Sequence, residues 1–167
     1  MMARLDKSAL PWLWLSLLLV VLDAASKQWA LAHLQLHQPV PIIPGLLSWT
    51  LVYNYGAAFS FLADHNGWQR WLFSALAIAI SAMLAWWLAR IPRHDWRQAL
   101  PYALVIGGAI GNLIDRLMHG YVIDFIDAYW GEYHWPAFNL ADAVIVAGAI
   151  GIALFGFVPR RSVPDQG

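Results

Sequence analysis

Val122-Ile123-Asp124-Phe125 and, a short aromatic loop later, Pro136-Ala137-Phe138-Asn139-Leu140-Ala141-Asp142 decide how this chain is read. The loop between them holds no Lys or Arg. Beyond Asp142 the residues are almost all apolar as far as Val158. An Asp that enters a bilayer costs roughly 2.5–3.5 kcal/mol, so its presence asks for a chemical reason. Two carboxylates, Asp124 and Asp142, thus flank a loop at the mouth of an apolar helix.

Three further apolar runs precede this one, giving expected spans at about 10–31, 71–89, 99–117 and 138–158. Each approaches the ~20 residues that a helix needs to cross the hydrocarbon. The expected fold is an all-α polytopic membrane protein: one membrane domain over 1–167 with four transmembrane helices. Only 12% of residues are charged, against about 25% in an ordinary soluble domain. The mean hydropathy of +0.54 agrees. Formal net charge is zero, which argues against nucleic acid as a partner. The absence of Cys excludes a thiol nucleophile, thiolate metal ligands and disulfides. A cleaved leader is the competing reading of the first run, since Arg4 and Lys7 precede it and Ala30-Leu31-Ala32 resembles a cleavage site. The run is too long for that, and it carries Asp23 and Lys27 one helical turn apart.

Basic residues set the expected orientation. Arg4 and Lys7, then Arg90, Arg93 and Arg97, then Arg160 and Arg161 mark one side, while connections 32–69 and 118–137 hold no Lys or Arg. Both termini are then cytoplasmic and the two long connections lie outside. Asp23, Lys27, Asn112, Asp115, Arg116, Asn139 and Asp142 all fall at the outer ends of their spans. Trp12, Trp14, Trp86, Trp87 and Trp96 form an inner belt. Trp29, Trp68, Trp71, Tyr129, Trp130, Tyr133 and Trp135 form an outer one. The pairs Gly107 with Gly111 and Ala147 with Gly151 are expected at close helix contacts.

Residues 35–66 read as a small β-rich outer flap, with a short strand over 48–53 carrying Trp49, Leu51 and Tyr53 on one face. Phe59, Phe61 and Leu62 would lie on lipid or cover a site. Asn54 either binds a substrate backbone or only caps the turn before Gly56. Residues 118–137 read as an outer gating segment. If helical, it would put Asp124 and Asp127 on one face, and one of the two, which the residues alone do not identify, would be a solvated surface acid.

The nucleophile options narrow by exclusion. None of the serines sits in a Gly-x-Ser-x-Gly turn. His33 and His37 have a spacing that suits zinc, but no His-Glu-x-x-His motif exists, and two polar residues past the first span are the plainer reading. Carboxylates remain. Two Asp groups close together share one proton, so that one takes a proton from water while the other protonates or hydrogen-bonds the scissile carbonyl. Competing functions are a small proton- or cation-coupled transporter and a scaffold whose acids only pin helices. A transport path needs polar groups through the full depth, and these charges stay near one face. Arg116 is expected to pair with Asp115, and Asp23 with Lys27.

Five motifs together resemble the signal peptidase II (lipoprotein signal peptidase) family: Asp23-Ala24-Ala25-Ser26-Lys27, Asn54-Tyr55-Gly56-Ala57-Ala58-Phe59-Ser60, Gly108-Ala109-Ile110-Gly111-Asn112-Leu113-Ile114-Asp115-Arg116, Val122-Ile123-Asp124-Phe125 and Phe138-Asn139-Leu140-Ala141-Asp142. Ala24 stands where the family often has Gln. The resemblance implies an aspartic endopeptidase of the bacterial inner membrane, with Asp124 and Asp142 as its catalytic pair, which leaves Asp127 as the surface acid. Asp23, Lys27, Asn54, Gly56, Asn112, Asp115, Arg116 and Asn139 are implied as supporting or substrate-binding residues. The implied substrate is a diacylglyceryl-modified prolipoprotein, cut just before its lipidated cysteine. Membrane lipids and globomycin-type cyclic peptide inhibitors are further implied partners. A monomer suffices, and neither metal nor organic cofactor is implied.

Overall fold

The computed structural model describes residues 8–56 and 67–156. Expectations resting on Arg4, Lys7, Phe59, Phe61, Leu62, Arg160, Arg161 and the end of the fourth span lie outside the described residues.

Four long helices succeed one another along the chain: α1 (Leu13–His33), α2 (Trp68–Leu88), α3 (Trp96–His119) and α4 (Leu140–Gly156). A single 3-10 turn, Leu10–Trp12, leads into α1. Pro11 suits it, because a helix start has no use for that N–H. With this turn, Leu10–His33 is long and apolar enough to cross a membrane, and so is Trp68–Leu88. Helix α4 is equally apolar but has only 17 residues. Helix α3 is the central post, packed by each of the other three. Its inward residues are small, and α1 and α2 turn Leu17, Leu18, Val21, Leu22, Leu76 and Ile78 outward. Exposed apolar surface on this scale reverses the arrangement of a water-soluble domain and suits lipid.

Glycines let α3 approach its neighbours. A Cβ at Gly107 would press on Leu19 and the Ser16 carbonyl of α1, and one at Gly108 would overlap the Ala141 carbonyl of α4. On α4 the contact residues are Gly148 and Gly151, both against Pro101. Ala147, expected there, is exposed. The spacing rule finds a stripe, but the rotation of the helix decides which residue faces inward.

The connections form a four-stranded antiparallel sheet in the order β1-β2-β3-β4. Its strands are β1 (Val40–Ile43), β2 (Leu47–Asn54), β3 (Val122–Trp130) and β4 (Tyr133–His134). The expected strand at 48–53 is the heart of β2, with a bulge between Trp49 and Val52. One expectation needs correction, and one conditional reading does not apply. The β structure is no separate flap between the first two helices, because β2 pairs with β3 from the other connection (Ser48 with Asp127, Asn54 with Val122). Nor is Val122–Trp130 helical. Its β-branched and aromatic residues favour a strand, and strand alternation puts Asp124 and Asp127 on opposite faces.

Candidate active site

Two local devices bring β3 and α4 together. Gly120 (φ 86°) ends α3 in the left-handed conformation, its N–H donating to the Arg116 carbonyl at 3.1 Å. Only glycine takes that turn cheaply, and β3 starts two residues later. Phe138 then bridges back to β3. Its carbonyl accepts from the N–H groups of Phe125 (3.1 Å) and Ile126 (2.9 Å), and its N–H donates to the Ile126 carbonyl (3.0 Å).

Asn139 caps α4. Its Oδ1 accepts the Asp142 N–H at 2.8 Å, and its own N–H donates to Asp142 Oδ2 at 3.3 Å. This reciprocal arrangement is a capping box with Asp in the third helical position. The N–H of Ala141, which has no partner within its own helix, is met from another helix, by Asp23 Oδ1 at 2.9 Å. Asp142 therefore sits in the first turn of a helix, where the backbone dipoles favour an anion.

Asp124 is 1% exposed. It accepts from Asn139 Nδ2 at 2.7 Å and from Asn54 Nδ2 at 3.0 Å. Burial, and then the neighbouring Asp142 charge, push its carboxyl up to about 7. Asn139, wholly buried, thus touches both acids. Asn54 does two jobs at once: its Oδ1 also accepts the Gly56 N–H at 3.1 Å, so the turn-capping reading is part of its role.

A second acidic group lies beside the first. Lys27 Nζ pairs with Asp23 at 2.7 Å and with Asp115 at 2.9 Å, and all three residues are buried. Asp115 also accepts the Ile123 N–H at 3.0 Å, tying α3 to β3. The expected Asp115–Arg116 pair is replaced by this Lys27 contact, since neighbours on a helix point in different directions. Arg116 instead donates to the Asn112 carbonyl at 3.4 Å and lies 5.2 Å from the Phe73 ring centroid. Asn112 joins the two groups. Its Oδ1 accepts from Lys27 and Asn139, both at 3.1 Å, and its Nδ2 donates to Asp142 at 2.7 Å.

A cavity of about 470 Å³ opens at this point. Asn54, Gly56, Arg116 and Asp142 supply polar atoms to its wall, and Trp135–Phe138 with Ile145 and Val146 supply apolar ones. The eight expected supporting residues and the two acids therefore gather in one region. Such a cavity, with a carboxylate on its wall and a second behind an amide, can position a water against a bound amide.

Asp127 departs from expectation. It is not a surface acid but 6% exposed. Its Oδ2 accepts from Ser48 Oγ (3.1 Å) and Thr50 Oγ1 (3.0 Å), and its Oδ1 from His134 Nδ1 (2.8 Å). Sequence reasoning does not single out Ser48 and Thr50. The signal available for them is two hydroxyls alternating along the expected strand. His33 donates to the Trp29 carbonyl at 2.9 Å and stacks on that ring. It is a polar residue at the helix end, in line with the plainer reading.

Relatives of known type match over the same residues. The sequence profile of the signal peptidase II family, described as "Signal peptidase (SPase) II", matches residues 15–158. A lipoprotein signal peptidase of Xanthomonas campestris pv. campestris (strain 8004) is 61% identical, covering 97% of this chain and 98% of that protein. One from Xylella fastidiosa (strain M12) is 57% identical over 94% of each. A solved structure described as a bacterial membrane enzyme shares the fold with a TM-score of 0.77 at 26% identity, covering 94% of this chain and 98% of that one.

Proposed function

This chain belongs to the signal peptidase II family, and on that premise we propose that it is a membrane-embedded aspartic endopeptidase with Asp124 and Asp142 as its catalytic pair. Its substrates are diacylglyceryl-modified prolipoproteins, cut just before the lipidated cysteine. The observation that carries the mechanism is the contrast in charge balance. Asp124 and Asp142 are held by amide donors, while the nearest buried cation, Lys27, is taken up by Asp23 and Asp115.

Asp124, pushed up to about 7, holds a proton near neutrality. It hydrogen-bonds the scissile carbonyl and stabilises the oxyanion as it forms. Asp142, with two N–H donors and a helix start around it, is the anion that takes a proton from water. The hydroxide adds to the carbonyl carbon. The proton on Asp142 then passes to the leaving nitrogen of the cysteine as the C–N bond breaks. Arg116, on the cavity wall, offers its guanidinium to substrate carbonyls.

In this reading all four helices span the membrane, with both termini cytoplasmic and the cavity at the outer boundary. The chain acts as a monomer, the described part of the outer flap, residues 35–56, and residues 118–137 close over the substrate, and globomycin-type cyclic peptides occupy the cavity. The sheet turns Val40, Ile42, Ile43 and Leu46 outward, which suits contact with the lipid surface. The test is a gel-shift assay in detergent on a diacylglyceryl-modified prolipoprotein. Native protein is expected to shorten the substrate, and Asp124→Asn and Asp142→Asn to leave it intact. Full cleavage by either variant would sink the assignment.

A further inference from the structure

The buried carboxylate of Asp127 has no part in the mechanism above, yet it holds three side chains. Ser48 and Thr50 of β2 donate to one oxygen and His134 of β4 to the other. An ionised carboxylate only accepts, so His134 Nδ1 must carry a hydrogen. Ser48 has the acid beside it rather than the imidazole and is 1% exposed. It is therefore placed as a ligand of Asp127 and not as a nucleophile.

The cluster lies at the root of the cavity wall. Strand β4 is only Tyr133–His134, and a two-residue strand holds little by its own ladder. The chain leaving it, Trp135–Phe138, is the stretch that lines the cavity. That stretch is fixed at its far end by Phe138 on β3. At its near end the fixings are the Trp135 N–H to the Ala128 carbonyl (2.8 Å), the Asp127–His134 contact, and the His134 ring stacked on Tyr129 with centroids 5.0 Å apart. Tyr129 is itself steadied where its hydroxyl accepts the Gly45 N–H at 3.0 Å.

We propose that Asp127 and His134 are positioning residues that clasp the β3–β4 hairpin and so hold the Trp135–Phe138 wall in the shape that binds substrate. The inference rests on the function proposed above. Asp124 and Asp142 are anchored separately, through Asn54, Asn139 and Asn112. Loosening the clasp therefore changes how substrate is held and leaves the chemical step intact. Chemistry also separates the clasp from a need for charge. An Asn at 127 can accept from His134 through its oxygen and donate its amide hydrogens to the Ser48 and Thr50 hydroxyls, which rotate to accept.

The experiment is steady-state cleavage of a diacylglyceryl-modified prolipoprotein by native protein, His134→Ala, Asp127→Ala and Asp127→Asn, with Asp124→Asn as the inactive reference. His134→Ala and Asp127→Ala are expected to raise KM about fivefold to tenfold, the scale of one lost ordinary hydrogen bond. Their kcat stays within about twofold of native, and Asp127→Asn restores KM to within about twofold. An unmoved KM in His134→Ala, a loss confined to kcat, or an Asn variant as impaired as Ala each overturns the clasp. His134 is half-exposed, so its truncation decides the matter even if Asp127→Ala does not fold. No cleavage by native protein overturns the assigned reaction and the clasp with it. Normal cleavage with unmoved KM overturns the clasp alone.

Discussion

Two groups of acids sit side by side in this protein, and they are solved in opposite ways. Asp23 and Asp115 share Lys27, at 2.7 and 2.9 Å, and also accept the N–H groups of Ala141 and Ile123, respectively. Asp124 and Asp142 are held by the amides of Asn54, Asn112 and Asn139. A cation fixes charge, so the first group is locked. Amides hold a carboxyl in place in either protonation state, so the second can exchange a proton. Asn112 is bonded to both groups and keeps the locked one next to the labile one.

The strongest way to break the comparison is to remove a labile acid. Asp124→Asn or Asp142→Asn should lower cleavage by roughly 10³-fold or more, the scale of a lost general acid or base. Both should still fold, because the amide keeps the carboxylate's shape and one of its two accepted hydrogen bonds, and only its NH2 faces a donor. Cleavage and thermal unfolding in detergent, measured on the same preparations, check both halves. The locked group should respond the other way round. Lys27→Met strands two buried carboxylates and is expected to cost about 3–5 kcal/mol of stability. A Lys27→Met protein that unfolds at the native temperature would show that the pair is not structural.

The next effect is steric. Gly108 meets the Ala141 carbonyl so closely that an added Cβ must displace α4, and with it the cap that carries Asn139 and Asp142. Gly108→Ala is expected to cost about 1–3 kcal/mol and to reduce cleavage. Gly156→Ala, with nothing within 4 Å of its Cβ, should do neither. Equal melting temperatures in the two variants would remove helix contact as the reason for the glycine.

Much of this arrangement is legible in the amino-acid sequence. Apolar runs of membrane length, and polar residues collected at one end of each, are local features that lipid makes hard to disguise. The β2 strand is legible from its alternation. The pairing of β2 with β3 is not, since nothing in residues 47–54 names a partner so far along the chain. The choice of Lys27 over Arg116 as the partner of Asp115 depends on side-chain direction across helices. The difference between Ala147 and Gly148 depends on the rotation of α4. Asp127 misleads for the same kind of reason: its hydroxyl partners lie on another strand, and an acid in an aromatic connection looks solvated until they arrive.

The smallest expected effect sharpens the comparison most. Asp124 is pushed up to about 7, whereas an unfolded Asp titrates near ~3.9. The folded protein therefore keeps a proton that the unfolded chain has released, and the stability from this group declines as pH rises between those values. Cleavage that needs the Asp124 proton should likewise fall as pH rises through about 7. The Asn54 amide opposes this, because its donated hydrogen bond favours the Asp124 anion. Asn54→Ala should then push Asp124 further up and move the alkaline limb of kcat/KM to higher pH, even though the amplitude falls as the cavity loses a polar group. A limb that moves down instead would mean that the proton being lost belongs to another group. A limb that stays put in Asn54→Ala and also persists in the residual activity of Asp124→Asn would place the titrating proton away from Asp124, and the labile pair would have to be reassigned.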